Sequence, residues 1–181
     1  IGLSTMVYFS KKNIKCVGFD INKEKVRKIN SGIIPLKDLE KWFGFNIKKM
    51  VQKGYLKATT NPDDLISKKF IAHFIAVPTE KDGKPYYKPL MSVLNNIAKI
   101  SNKKIKVPPL VIVESTLAPK VSDKKIIPFF KKKNLIVGKN LLLSIAPRRD
   151  WFIEGGKNLE SLDRVYGSTD EKSAKVAKDV L

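Results

Sequence analysis

The sequence contains one cysteine and one histidine in 181 residues. The lone thiol, Cys16, excludes an internal disulfide framework and any cysteine-rich zinc site. The lone imidazole, His73, excludes a histidine-rich metal cage, and no metal site is expected. Any serine–histidine nucleophile would have to run through residue 73. No apolar run reaches the roughly 18–20 residues needed to cross a bilayer, so no membrane partner is expected. No basic segment precedes a long apolar stretch, so no signal peptide is read. Arginine is confined to positions 27, 148, 149 and 164. The formal charge of +19 is therefore almost entirely lysine. The lysine clusters at 11–12, 48–49, 68–69, 103–104, 124–125 and 131–133 have no aromatics interleaved. A nucleic-acid surface calls for a basic stripe with stacking positions, so that partner is not favoured. Solvated lysine faces and a small anionic ligand fit the charge better. Apolar residues make up 43% of the chain, enough for the core of one globular domain. The default setting is reduced and cytoplasmic.

Strands alternate with helices along the chain. Ile14–Phe19, Leu56–Thr59, Phe70–Val77, Leu110–Val113 and Leu141–Ala146 read as strands, with Arg164–Tyr166 a short last one. Lys23–Asn30, Leu36–Gln52, Leu90–Ile100 and Pro119–Lys133 read as helices. Asn61-Pro62-Asp63-Asp64 opens a helical turn, and residues 80–89 read as a loop. Residues 3–9 read as a helix already under way. Asp170 reads as the N-cap of a helix still running at Leu181. The expectation is a piece of a longer protein. Several strands are apolar on both faces, which predicts a mostly parallel α/β sheet of the doubly wound type. Ligands of such sheets bind at the carboxyl ends of the strands. Those ends carry Asp20, Pro78-Thr79, Glu114-Ser115-Thr116 and Pro147-Arg148-Arg149.

Gly2 opens the first helix, and Asp20 closes a strand 18 residues later. That spacing fits the last glycine of G-x-G-x-x-G and the acidic residue that binds a ribose. The first two glycines of the motif are not in this chain. Taken alone, the pair fits equally a structural helix-start glycine and an ordinary turn aspartate.

Longer strings are more specific. Ile1-Gly2-Leu3-Ser4 through Val17-Gly18-Phe19-Asp20 resembles the N-terminal domain of the UDP-glucose/GDP-mannose dehydrogenase family. Lys23-Glu24-Lys25-Val26, Ile29-Asn30-Ser31-Gly32 and Pro35 continue the likeness. Gly54-Tyr55-Leu56-Lys57-Ala58-Thr59-Thr60 resembles that family's G-x-L-x-A-T-T. Ile75-Ala76-Val77-Pro78-Thr79, with Asp82-Gly83, resembles its V-P-T segment. Val113-Glu114-Ser115-Thr116-Leu117-Ala118-Pro119 resembles its S-T-x-x-P-G turn. Ala146-Pro147-Arg148-Arg149 stands where the family has P-E-(R/F), and Leu162–Gly167 resembles its P-R-(V/I)-(V/I)-G-G. The matches follow family order and cover essentially the whole chain.

The resemblance implies a Rossmann-type NAD-binding domain over residues 1–181, whose first strand is missing from this chain. It also implies a central helical domain and a C-terminal substrate domain beyond residue 181. The implied enzyme is an NAD-dependent nucleotide-sugar 6-dehydrogenase. It oxidises the C6 alcohol of a sugar nucleotide, a UDP-sugar by preference, to a carboxylate in two hydride transfers. A cysteine traps the aldehyde and carries a thioester. By similarity, Gly2 and Asp20 bind the cofactor, and Lys25 sits on its adenine side. Pro78 and Thr79 contact its diphosphate–nicotinamide half. Thr116 lies beside the nicotinamide and helps place the hydrolytic water, the one catalytic role carried over. The full-length form is expected to be a homodimer or larger. NAD is favoured over NADP because Asp20 would repel a 2′-phosphate and no arginine directly follows it.

Two departures qualify the likeness. Arg148 replaces the family's glutamate, and an arginine cannot accept the hydrogen bonds a glutamate takes. Arg148 is read as substrate-binding, through a phosphate or a carboxylate; alternatively Asp150 is the acidic partner on a shifted loop. Lys120 replaces the usual glycine after the S-T-x-x-P turn, read as a milder change. Cys16, mid-strand, is expected to be buried and inert. The family's nucleophile, with its lysine and asparagine partners, lies beyond residue 181, so this segment alone is expected to be inactive. Without its first strand the segment is expected to leave two strand edges unpaired. His73 is expected to be a satisfied core histidine, Trp42-Phe43-Phe45 helix packing, and Lys131-Lys132-Lys133 a solvated helix end. The alternative to the enzyme is a noncatalytic module, either an inactive Rossmann relative or a basic nucleic-acid binder.

Overall fold

Leu110, Val111, Ile112 and Val113 form one strand, and all four side chains are buried. Successive side chains of a strand point to opposite faces, so this strand needs cover on both sides. It has that cover. Val111 and Val113 pack with Leu90, Leu94, Ile97, Ile126 and Phe130. Leu110 and Ile112 pack with Leu142, Ala146 and Ala177.

In this computed structural model the described residues are 1–35, 46–66, 70–101, 107–148 and 163–181. They fall into two compact units. The first covers the described residues up to 66. Helix α1 (Gly2–Lys11) leads to strand β1 (Cys16–Phe19), and α2 (Lys23–Asn30) follows. After α3 (Lys48–Gln52), strand β2 (Leu56–Thr59) pairs with β1 in parallel, Gly18 opposite Ala58. A one-turn helix, α4 (Asp63–Ile66), closes the unit. Val7, Val26, Ile29, Ile34, Ile47, Leu56 and Ala58 form its core. Asn22 caps α2 by accepting from the Lys25 backbone N–H at 3.0 Å. At the other end of α2, Asn30 behaves like a short extra strand. Its amide donates to the Ala58 carbonyl at 2.9 Å, and its oxygen accepts from the Ala58 N–H at 2.8 Å. That contact blunts the outer edge of β2. Gly32, just past α2, has φ +75°, and a Cβ there would stand 2.8 Å from the Lys48 backbone. Only glycine suits both the turn and the close approach.

The second unit carries the larger sheet. Strands β3 (Ala72–Ile75), β6 (Leu110–Val113) and β7 (Leu142–Ile145) run parallel, and β8 (Gly167–Ser168) lies antiparallel beside β7. The order is β3-β6-β7-β8. A small hairpin, β4 (Glu80–Lys81) and β5 (Lys84–Pro85), leaves the sheet after β3. Asp82 and Gly83 both have positive φ, 54° and 71°, as a two-residue hairpin turn of the right twist requires. Helices α5 (Lys88–Ser101) and α6 (Ile127–Lys132) cover one face, and α7 (Glu171–Val180) covers the other. Asp170 caps α7 as expected, accepting from the Ser173 N–H at 2.9 Å and from the Ser173 hydroxyl at 2.6 Å. Burial alone would raise this carboxyl's pKa; the bonds from Ser173 and Thr169 outweigh it and hold it low. The sheet is mainly parallel and flanked by helices, as the sequence predicts.

Three expectations need correction. The helix expected from Pro119 begins at Ser122 with a π-helical stretch to Ile126, and only then becomes α. Pro128 has no N–H to donate and its ring crowds the carbonyl four residues back, so the turn before it widens. The last strand falls at 167–168 rather than 164–166, because Arg164 is drawn to other partners described below. Residues 80–85 of the expected loop form the hairpin. Part of the helix expected over Leu36–Gln52 lies outside the described residues, as does the whole Trp42-Phe43-Phe45 cluster; its end is present as α3. Among the described residues, β1 pairs only with β2 and β3 only with β6, so each unit keeps an open strand edge.

His73 lies in β3, its ring edge-on to Phe70 with centroids 5.4 Å apart. Its Nε2 is buried without a hydrogen-bond partner among the described residues. It is a packing histidine, but not the satisfied one expected. Burial pushes its pKa down to about 4, from an ordinary value near 6.5. The unfolded chain therefore binds a proton that the folded chain refuses between those two values. Stability is full above pH 6.5 and falls as the pH drops toward 4. Between pH 7 and pH 5 the parent should lose ~2 kcal/mol more unfolding free energy than His73→Gln. Urea unfolding at both pH values checks this, and equal losses would contradict it.

Candidate functional site

The polar residues that end the parallel strands are the candidate site. In the first unit, Asp20 follows β1. Its backbone N–H donates to Thr59 at 3.1 Å, which continues the strand pairing by one residue. Its Oδ1 accepts from the Asn22 N–H at 2.9 Å. That bond fixes the carboxylate at the start of α2. Lys25, in the first turn of α2, is exposed. Gly2 is the first residue of α1. Its N-cap, Ile1, makes no side-chain capping bond, and no acidic residue stands in its first turn. Thr59 holds Asp64 through a 2.6 Å hydroxyl–carboxylate bond, which shapes the turn after β2.

In the second unit, two hydroxyls stitch the end of β3 to the end of β6. Ser115 Oγ accepts from the Val77 N–H at 2.9 Å and lies 2.7 Å from the Val77 carbonyl, to which it donates. Two residues on, Thr79 Oγ1 donates to the Thr116 carbonyl at 2.6 Å. The Thr79 carbonyl accepts from the Tyr86 N–H at 2.7 Å, which ties the hairpin to the same point. Pro78 and Thr116 are exposed, and Thr79 is half-buried. The structure thus brings Thr79 and Thr116 together, as neighbours on adjacent strand ends. The sequence places Ser115 at this strand end without a role; its buried hydroxyl makes this bridge.

Glu114, placed by the sequence at the same strand end, likewise had no role assigned. Its side chain is wholly buried at the end of β6. Arg164 approaches with Nη2 3.0 Å from Glu114 Oε1, and Arg148 with Nη1 at 3.4 Å. Arg164 Nη2 also donates to the Ala146 carbonyl at 3.3 Å. The Arg148 N–H donates to the Glu114 carbonyl at 3.3 Å, so main chain and side chain are both engaged. An acid with no exposure at a strand end is a usable signal, because such a charge must be paired. Arg148 is itself buried, 8% exposed. Arg149 and the alternative acid, Asp150, lie outside the described residues.

Lys120 has φ +66°, the left-handed conformation that glycine adopts without cost. A lysine in this conformation carries backbone strain that a glycine would not. Cys16 is half-buried rather than buried, and desolvation pushes its thiol up to about 11. It is protonated and inert at neutral pH. Among the described residues no cluster of three or more His, Cys, Asp or Glu side chains could hold a metal ion. None of their helices is long and apolar enough to cross a membrane.

Residues 1–181 match the family model of the UDP-glucose/GDP-mannose dehydrogenase family, NAD binding domain. A UDP-N-acetyl-D-mannosamine dehydrogenase from Methanocaldococcus jannaschii is 31% identical over 99% of this chain and 39% of its own length. Its counterpart from Pyrococcus horikoshii is 28% identical over 98% of this chain and 41% of its own. The solved UDP-D-ManNAc dehydrogenase from Pyrococcus horikoshii superposes with a TM-score of 0.80 at 27% identity, over 99% of this chain and 41% of that one. A GDP-mannose dehydrogenase from Pseudomonas aeruginosa, at 21% identity, shares the fold with a TM-score of 0.77, over 97% of this chain and 40% of that one. The chain thus spans about two-fifths of the length of these relatives.

Breaking the buried charge cluster should be costly. Glu114→Gln leaves two guanidiniums without their shared carboxylate and should lower unfolding free energy by about 3 kcal/mol. Adding Arg148→Met should recover part of that loss. Denaturant unfolding of the single and double variants checks this; a loss below about 1 kcal/mol in Glu114→Gln would show that Glu114 is not the counter-ion.

Proposed function

Because the chain belongs to the UDP-glucose/GDP-mannose dehydrogenase family, whose NAD-binding domain it matches throughout, we propose that it is the cofactor-binding part of an NAD-dependent nucleotide-sugar 6-dehydrogenase. The substrate class is a UDP-sugar, and the net reaction takes its C6 alcohol to a uronate with two hydride transfers. The observation that carries this reading is the set of polar groups at the carboxyl ends of parallel strands: Asp20 after β1, Thr79 after β3 and Thr116 after β6.

The residues present suit the cofactor. NAD+, when bound, supplies a hydride acceptor. Asp20 offers a carboxylate pre-oriented by Asn22, which suits a ribose diol. The first turn of α1, opened by Gly2, carries no acidic residue of its own, and a helix N-terminus suits a diphosphate. Lys25 adds a solvated cation on the adenine side. Pro78 and Thr79 flank the nicotinamide half, and Thr116 helps to place the hydrolytic water. Arg148 is assigned to substrate. A guanidinium's planar fork of donors matches a phosphate or a carboxylate.

The proposal extends to the rest of the enzyme. It assigns the nucleophilic cysteine and the substrate domains to parts of the enzyme outside residues 1–181. A cytoplasmic, homo-oligomeric full-length enzyme goes with this reading. The noncatalytic alternative rests on Arg148 in the place of a glutamate and has no second observation behind it.

Calorimetric titration of the chain tests the reading. NAD+ should bind more tightly than NADP+, and Asp20→Ala should weaken NAD+ about 10- to 100-fold, the worth of charge-assisted hydrogen bonds to a ribose. No binding of NAD+, or binding indifferent to Asp20→Ala, would sink the proposal.

A further inference from the structure

The hairpin that follows β3 sets two like charges against each other. In its register Lys81 stands opposite Lys84, and Glu80 opposite Pro85. Residues directly opposite in an antiparallel pair share a face, with Cβ atoms about 5 Å apart. Both lysines are exposed, and among the described residues neither forms an ion pair. The neighbouring acids do not neutralise them. Glu80 alternates to the other face, and its Oε1 accepts from the Gly83 N–H at 3.1 Å. Asp82, at φ 54°, is the first residue of the turn itself. Like charges directly opposite weaken a strand pair, so this pair costs the free hairpin stability.

The costly arrangement is nevertheless fixed. The Asp82-Gly83 turn sets the register at the tip. At the base the Tyr86 N–H donates to the Thr79 carbonyl at 2.7 Å. Two residues earlier, Ser115 ties Val77 to the end of β6. The two cations are therefore presented together, at the carboxyl end of a parallel strand, before any ligand arrives.

Resting on the nucleotide-sugar reading above, we infer that Lys81 and Lys84 together hold the diphosphate of the nucleotide-sugar substrate. A diphosphate presents two adjacent anionic groups, one for each ammonium. An ammonium is a compact charge with three donors on a flexible stem, so the pair can close on both groups without a fixed planar geometry. Binding replaces one repulsion with two attractions. The dinucleotide carries a diphosphate too, but the cofactor reading gives that one to the first turn of α1, in the other unit. The hairpin is then a substrate element that responds to the phosphate groups and is indifferent to the sugar.

The test is calorimetric binding of UDP, uridine and NAD+ to the parent chain, Lys81→Gln, Lys84→Gln, Lys84→Arg and Lys131→Gln. Each hairpin glutamine should weaken UDP roughly 3- to 10-fold, the worth of one solvent-exposed charge-assisted contact. Lys84→Arg keeps the charge and should stay within about twofold of the parent. Uridine has no phosphate, so no variant should alter its binding. NAD+ should stay within about twofold in both hairpin glutamine variants. Lys131→Gln removes the same charge from the exposed end of α6 and should leave UDP within about twofold. Equal losses of UDP in Lys131→Gln and the hairpin variants would overturn the inference, because diffuse positive charge would then explain the binding. UDP unaffected by both glutamines, a parent chain that does not bind UDP, or NAD+ weakened as much as UDP would also overturn it. A parent chain that binds UDP through these lysines but does not bind NAD+ would overturn the cofactor reading and leave the hairpin as a diphosphate site.

Discussion

Burial of β6 on both faces is the constraint from which the larger unit follows. Its four side chains are all used up in packing, two into each helical layer. Nothing along the strand is left for chemistry, so chemistry is displaced to its carboxyl end. Glu114, Ser115 and Thr116 follow there without a gap, and each is bound differently. Glu114 turns inward to two arginines, Ser115 sideways to Val77, and Thr116 stays exposed with its carbonyl held by Thr79. A rigid strand thus ends in three consecutive residues that set charge, spacing and reactivity.

The burial of Arg148 follows from the same strand end. A guanidinium there adds cationic charge, and without a counter-ion its burial would be very costly. Among the described residues Glu114 supplies a counter-ion, which Arg164 shares. The same demand moved the last strand: Arg164 is spent on Glu114 and Ala146, so pairing with β7 begins only at Gly167.

Much of the fold was legible where local signals and packing agree. Lys23–Asn30, Leu56–Thr59 and Leu110–Val113 appear with the bounds that their periodicity and turn residues predict, and Asp170 caps the helix it precedes. The hairpin at 80–85 was missed because its arms, Glu80-Lys81 and Lys84-Pro85, have no apolar alternation, although Asp82-Gly83 marked the turn. The π-helical stretch before Pro128 depends on carbonyl geometry that no composition shows. In the site, single residues at strand ends could be named from the sequence. Their bonding could not, because Thr79–Thr116 and Ser115–Val77 join residues 37 and 38 positions apart. The left-handed backbone at Lys120 was likewise invisible until its φ was known.

The central claim is that strand ends, and not lysine-rich surfaces, receive the ligand. Amide chemical shifts of the labelled chain during titration with NAD+ test it most directly. The account predicts saturable shifts at Gly2, Asp20, Thr79 and Thr116, persisting in moderate salt. Shifts confined to the lysine clusters at 124–125 and 131–133 and abolished by salt would contradict it, because they would mark a screened surface charge meeting an anion and nothing more.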